Sequence, residues 1–257
     1  MDIEPDRTRV AAALTSGGVI LVDAAGKRRD GRSLGQRGRP GSWKGTAMYL
    51  FSRRVQLAGA GQAGLEWAVG MRERVDQIID LDVRLWASAY SAGFGTVSFS
   101  SFAPDLASLE AANEALYADE GFLALAEQAG DLSQGTDDAL RELVHGTPDP
   151  SAEPQFISVI NAVAANGRIA KAMTAAVELA QQAEKITGVP SMVTSNVTGP
   201  YGGITWISAY PDIAAFEAGR QAMAEDAGWP AFVDEQVSDA FIEDAALTQA
   251  SIYRRLA

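Results

Sequence analysis

The chain contains no cysteine and one histidine, His145. The first absence excludes disulfides, thiolate metal sites and a cysteine nucleophile. The second leaves a metal ion almost no nitrogen donors. The carboxylates fall along helical faces without compact ligand spacing, so no metal site is expected. No apolar run approaches the ~18 residues of a membrane-spanning helix, and no membrane partner is expected. Walker loops, GxSxG, HExxH and a GxGxxG turn opening a βαβ unit are also missing. No cofactor is implied. A chain without cysteine suits a reducing compartment, and a cytoplasmic location is expected.

Basic charge is scarce outside the N-terminus. Residues 1–47 carry nine Lys/Arg against five Asp/Glu, whereas residues 48–257 carry twelve against 28. The acidic part should repel nucleic acid and anionic lipid. Residues 1–47 include Lys27–Gly45, rich in Gly and Arg and without apolar periodicity, which cannot offset its own ordering entropy. A disordered arm, an extension upstream of initiation at Met48, and a basic arm binding nucleic acid or a partner are all open. Gly17–Val22 suggests a short strand or helix.

What the chain does have is an internal repeat. Phe94–Gly130 aligns without a gap on Tyr201–Val237, with eleven of 37 positions identical. Among them are Pro104/Pro211, Asp105/Asp212, Glu110/Glu217, Asp119/Asp226 and Gly121/Gly228. Such a period marks a duplicated structural unit. The duplicated acids are expected to cap helices and serve helix surfaces rather than form a catalytic carboxylate pair.

The elements recur in one order. Period-two alternation predicts strands at Met48–Leu57 and Gln155–Val163. Apolar spacings of three and four predict helices at Gly61–Asp80 and Gly167–Thr187, the second ended by Gly188. Strand pairs follow at Val83–Tyr90 with Gly95–Ala103, and at Met192–Val197 with Gly202–Tyr210. Gly93 and Gly95 mark the first hairpin turn, and the glycines of 199–203 the second. Pro-Asp then opens each next helix, running to Tyr117 and Glu225, with further helical stretches at Glu120–Ala129 and Trp229–Phe241. Final strands are expected at Leu140–His145 and Thr248–Arg254.

This order is β-α-β-β-α-β, twice, the split pattern of ferredoxin-like units. The predicted class is α+β: two tandem ferredoxin-like modules, residues 48–147 and 154–257, joined by the linker Gly146–Pro154. Val97, Phe99, Ile204 and Trp206 alternate with Ser98, Ser100, Thr205 and Ile207, so both sheet faces need cover and the sheets are expected to pack on each other.

Topology, module length and the shared strand–Pro-Asp–helix segment resemble the dimeric α/β-barrel superfamily, with one chain supplying both halves. The resemblance covers Met48 to Ala257 and extends to antibiotic-biosynthesis monooxygenase-like and NIPSNAP-like groups. It implies a ligand cavity within each unit, between sheet and helices, and a small hydrophobic or aromatic ligand. A cofactor-independent monooxygenase-like activity on an aromatic or polyketide-like substrate is the favoured reading. A non-catalytic structural or assembly module is the alternative, and homodimer formation is open.

Candidate ligand-binding residues are Arg53, Trp86, Tyr90, His145, Asn196, Tyr201, Trp206 and Tyr210, with Phe99 beside them. Rings with polar tips suit a small aromatic ligand. Arg53 and Arg54 alternate, so one faces each side of the first strand. One arginine could meet an acidic substrate or form a rim ion pair. His145 could be a base or a surface histidine; its counterpart in the repeat is Ile252.

Overall fold

The computed structural model describes residues 48–59, 61–91, 95–244 and 246–257. All that was expected of residues 1–47 lies outside the described residues, as do Gly93 and Phe94.

The elements in chain order are β1 (Tyr49–Leu57), α1 (Gln62–Ile78), β2 (Val83–Ala89), β3 (Thr96–Ala103), α2 (Leu106–Tyr117), α3 (Glu120–Leu132) and β4 (Ser133–His145). They continue as β5 (Phe156–Val163), α4 (Ile169–Thr187), β6 (Ser191–Asn196), β7 (Gly203–Tyr210), α5 (Ile213–Glu225), α6 (Trp229–Val237) and β8 (Gln249–Arg255).

All eight strands join one closed barrel in the order β1-β3-β2-β8-β5-β7-β6-β4, each pair antiparallel. Closure removes every open sheet edge. The expectation of two sheets pressed face to face is thereby refined. The seams β2–β8 and β4–β6 join the halves edge to edge, and the inner faces surround a space.

Alternation decides which side chains enter it. On β1, Val55 and Leu57 point outward to the helices, whereas Leu50, Ser52 and Arg54 point inward. The outward residues make two cores. In one, Val55, Leu57, Leu85 and Val97 meet Trp67, Met71 and Val75 of α1 and Phe122 of α3. In the other, Val193 and Ile204 meet Ala172, Ala176 and Ala180 of α4. The alanine face lets α4 lie close on the sheet, with Trp206 and Phe241 filling the margin.

The duplicated aspartates cap helices. Asp105 accepts from the Ser108 amide at 2.7 Å and Asp212 from the Ala215 amide at 2.8 Å. Asp119 accepts from the Phe122 amide at 2.7 Å, and Asp226 from the amides of Gly228 and Trp229. Each satisfies an orphan donor of a first helical turn. Arg74 of α1 also donates to Asp119 at 2.8 Å, tying two helices together. Gly188 ends α4 at φ 71°, as its position predicts.

Two boundaries differ most from the sequence reading. β4 starts at Ser133 rather than Leu140, and α6 ends at Val237 rather than Phe241. The early half of β4, Ser133–Asp138, is polar and mostly exposed, so no apolar alternation announces it. It is held instead by its ladder to β1, with Arg53 opposite Asp138 and Arg54 opposite Asp137.

Candidate functional site

The barrel encloses a cavity of about 670 Å³. That is the size of a small-molecule site. The expectation of a pocket between sheet and helices is corrected here: that space is filled by the two cores, and the room lies inside the barrel. The reason is side-chain volume. The inward positions of β1, β3 and β4 include Ser52, Ser98, Ser100 and Ala139, too small to reach the opposite wall.

The chamber is chemically lopsided. Its β1–β3–β2 wall presents Ser52, Arg54, Ser98, Ser100 and Trp86. The facing β5–β7 wall presents the aliphatic Ile157, Val159, Ile207 and Ala209, with Asn161 and Thr205 as its polar members. The linker, from Gly146 to Pro154, borders the end of the chamber where β4 leaves and β5 enters. Thr198–Pro200 and Ala246–Gln249 border the other end. Arg84 pins the linker by donating to the Pro150 carbonyl at 3.3 Å, and Arg255 pairs with Glu153.

Arg54 and Arg141 enter this space from the adjacent strands β1 and β4, beside Arg84 near the linker. Arg54 pairs with Asp137 across the β1–β4 ladder. Burial pulls its pKa down, but the hydrogen bond and charge of Asp137 outweigh this and hold it above the usual value. Arg141 differs. Its Nη1 donates to the Ser52 hydroxyl at 2.9 Å and its Nε to the Thr205 hydroxyl at 3.2 Å. Thr205 in turn donates to Asn161 Oδ1 at 2.8 Å, which leaves its lone pairs for the arginine. Among the described residues, no carboxylate lies within ion-pair distance of Arg141. Burial, and then the neighbouring Arg54 charge, push its pKa below the ordinary arginine value. Withdrawing a charge from water without a counter-ion carries a penalty of roughly several kcal/mol.

The strand register adds an asymmetry. Leu50 on β1 pairs with Arg141, while Ile157, 107 residues on, pairs with Tyr253. One half thus places a cation where the other places a phenol. Tyr253 also borders the chamber.

Of the residues singled out in the sequence, Trp86 and Asn196 border the chamber. Trp86 is buried and donates to the Ser100 hydroxyl at 2.9 Å. Asn196 donates to the Pro200 carbonyl at 3.3 Å, and its Oδ1 is buried without a partner among the described residues. The others do not line the chamber. Arg53 faces outward and pairs with Asp138 at 2.7 Å, so its neighbour Arg54 is the inward member of the pair. Tyr90 and Tyr201 stand at the surface, 84% and 88% exposed. Trp206 points to α4, donating to the Ala176 carbonyl at 2.9 Å. Tyr210 stacks edge-on against Phe216 of α5, and burial raises its pKa. Phe99 packs against Trp67 on the helix side. His145 is half-buried at the end of β4, beside a register shift. Strand parity separates these groups, since residues an odd number apart face opposite sides. Arg141 escaped the sequence reading because it sits in an ordinary-looking strand. Its signal was a charge on the same parity as Ala139 and Leu143.

The NIPSNAP family model matches residues 165–251. No curated protein sequence matches the chain. Among solved structures, a candidate monooxygenase from Fusobacterium nucleatum is similar with a TM-score of 0.61 at 8% identity, over 82% of this chain and 94% of that one. An anthrone oxidase-like protein is similar with a TM-score of 0.60 at 12% identity, over 83% and 93%. A candidate monooxygenase from Lactobacillus acidophilus gives a TM-score of 0.55 at 10% identity, over 82% and 94%. The chain therefore resembles the dimeric α/β-barrel superfamily, as its sequence implies, and has its α+β barrel fold. No helix among the described residues is long and apolar enough to cross a membrane.

Proposed function

We propose that the barrel interior is a binding chamber for a small aromatic or polyketide-like molecule, and that the protein is a cofactor-independent monooxygenase-like enzyme. One observation carries this reading: an interior of about 670 Å³ with Ser52, Ser98, Ser100 and Trp86 on one wall and the aliphatic patch of Ile157, Val159, Ile207 and Ala209 on the other, beside Asn161 and Thr205. An amphipathic ring system fits such a space, its apolar body on Ile157, Val159 and Ile207 and its oxygens toward Ser52, Ser98 and Ser100. Residues 48–147 and 154–257 are read as two fused ferredoxin-like modules, so that a single chain completes the barrel. The lack of cysteine agrees with work in the cytoplasm, and the acidic balance of residues 48–257 supports a small molecule and not nucleic acid as the partner of the folded core.

In the enzymatic version the substrate supplies the electrons. A methylene flanked by carbonyl or aromatic groups loses a proton, and the carbanion meets dioxygen. One oxygen atom enters the product as a carbonyl, while the other leaves with the two methylene hydrogens as water. The protein's part is to orient the substrate, exclude bulk water and stabilise the developing oxyanion through fixed polar groups.

The alternative, a structural module whose aromatic positions simply fill the core, predicts a filled barrel; the size of the interior speaks against it. The test is dioxygen uptake with 1,8-dihydroxyanthrone, chosen from the likeness to the anthrone oxidase-like protein. Oxidation faster than in protein-free buffer, with one atom of ¹⁸O₂ in the anthraquinone and slowing in Trp86→Ala, is expected. A rate equal to that of buffer contradicts the enzymatic reading.

A further inference from the structure

We propose that Arg141 is the ligand-recognition residue of the chamber and that its natural counter-ion is the charged oxygen of a small organic monoanion: a carboxylate, enolate or phenolate on an apolar ring body. This rests on the reading of the barrel as a ligand chamber and names the chemical class of what enters it.

Three features of the chamber lead there. Arg141 is the arginine of the chamber without a carboxylate at ion-pair distance among the described residues, whereas Arg54 and Arg84, which also line it, pair with Asp137 and Asp82. Its two hydrogen-bond partners are hydroxyls, Ser52 and Thr205, which hold the guanidinium without neutralising it. A guanidinium has five N–H donors in a planar fork that matches two oxygens of a carboxylate, or one oxyanion beside a carbonyl. Two of those donors are engaged here, leaving others for an incoming acceptor. Finally, Tyr253 occupies the position equivalent to Arg141 in the other half and borders the same space, placing a phenol where it can donate to a second ligand oxygen. A half-buried cation hydrogen-bonded only to neutral groups is an incomplete arrangement, and an anionic ligand completes it.

The protein's own net charge works against general attraction of anions. It stands at −12, so a preference for an anionic ligand has to arise locally. This separates the proposal from nonspecific electrostatics.

The experiment is calorimetric titration of the full chain with 2-naphthoate and with its neutral near-isostere 2-naphthamide. Naphthoate should bind about tenfold more tightly or better. In Arg141→Met the ratio should collapse to about one, with Arg141→Lys retaining part of it. The thermal midpoint of Arg141→Met should hold or rise, because an apolar side chain of similar length replaces a desolvated charge. A ratio near one in the native chain, or one that survives Arg141→Met, overturns the proposal. So does a midpoint that falls by several degrees in Arg141→Met, which assigns the guanidinium to barrel closure instead. Naphthamide binding without preference for naphthoate removes this inference and leaves the chamber intact. Failure of both probes to bind removes the chamber as well.

Discussion

Arg54 and Asp137 stand opposite each other on β1 and β4 and pair at the wall of the barrel interior. The carboxylate neutralises one of the two arginines that share this part of the chamber, and so reduces the repulsion between Arg54 and Arg141. Asp137→Asn is therefore expected to tighten binding of an anionic probe roughly threefold to tenfold, by freeing Arg54 to face it. Stability should change by no more than about 1 kcal/mol, because both partners of the pair are half-exposed. Calorimetry and urea unfolding of the same variant report the two effects.

Trp86 and Trp206 look alike in the sequence yet face opposite sides of the barrel wall. Trp206→Ala should cost about 3–5 kcal/mol by opening a hole between β7 and α4, and should leave probe affinity nearly unchanged. Trp86→Phe should cost about 1–2 kcal/mol and weaken an aromatic probe roughly threefold to tenfold, since this ring borders the chamber. Chemical denaturation with parallel titration separates the two.

Acid should loosen the contact between α1 and α3. The Arg74 hydrogen bond, followed by the Phe122 amide, holds the Asp119 carboxyl below the usual carboxylate range. A lowered folded value means that the charged form is favoured by folding. The stabilisation is present above the unfolded pKa of about 3.9 and is lost as pH falls through the folded value. Asp119→Asn should therefore be less stable than the native chain at pH 7, with the gap closing as pH falls below the unfolded pKa of about 3.9. Urea midpoints across that range measure it.

Gly146, where β4 turns into the linker, has φ +82°, and an added Cβ would lie 3.1 Å from Met192 Cα. Gly188 has φ +71° with open space around it. Gly188→Ala should cost about 1 kcal/mol from backbone conformation alone. Gly146→Ala should cost roughly 2–3 kcal/mol, since it adds a clash with backbone to the same strain. Unfolding midpoints of the two variants give the comparison.

These contrasts show where the sequence was informative. Alternation such as Val97–Ser98–Phe99–Ser100 revealed the strands and the fact of two faces, and Pro-Asp pairs placed two helix starts correctly. Alternation does not say which face is filled. Small hydroxyl residues look the same whether another sheet covers them or a ligand does. Only the closed strand order shows that Ser52, Ser98 and Ser100 meet empty space rather than packing. The aromatic candidates misled for a related reason. Trp206 and Tyr210 have the amphipathic chemistry of ligand contacts, but their parity sends them to the helices, where Trp206 donates to the Ala176 carbonyl and Tyr210 packs on Phe216. Parity also distinguished Arg54 from Arg53, although the sequence could not say which side was inward. The polar opening of β4 was invisible because its stability lies in pairing with β1 and not in its own composition.

The account depends most on the barrel interior being an occupied chamber. Native mass spectrometry of the chain purified from its own host tests this directly, beside a variant in which Ala209→Trp fills the interior from β7. The expected result is a small-molecule adduct on the native chain that is absent from the filled variant. Bare polypeptide mass in both, or the same adduct on both, would contradict the account.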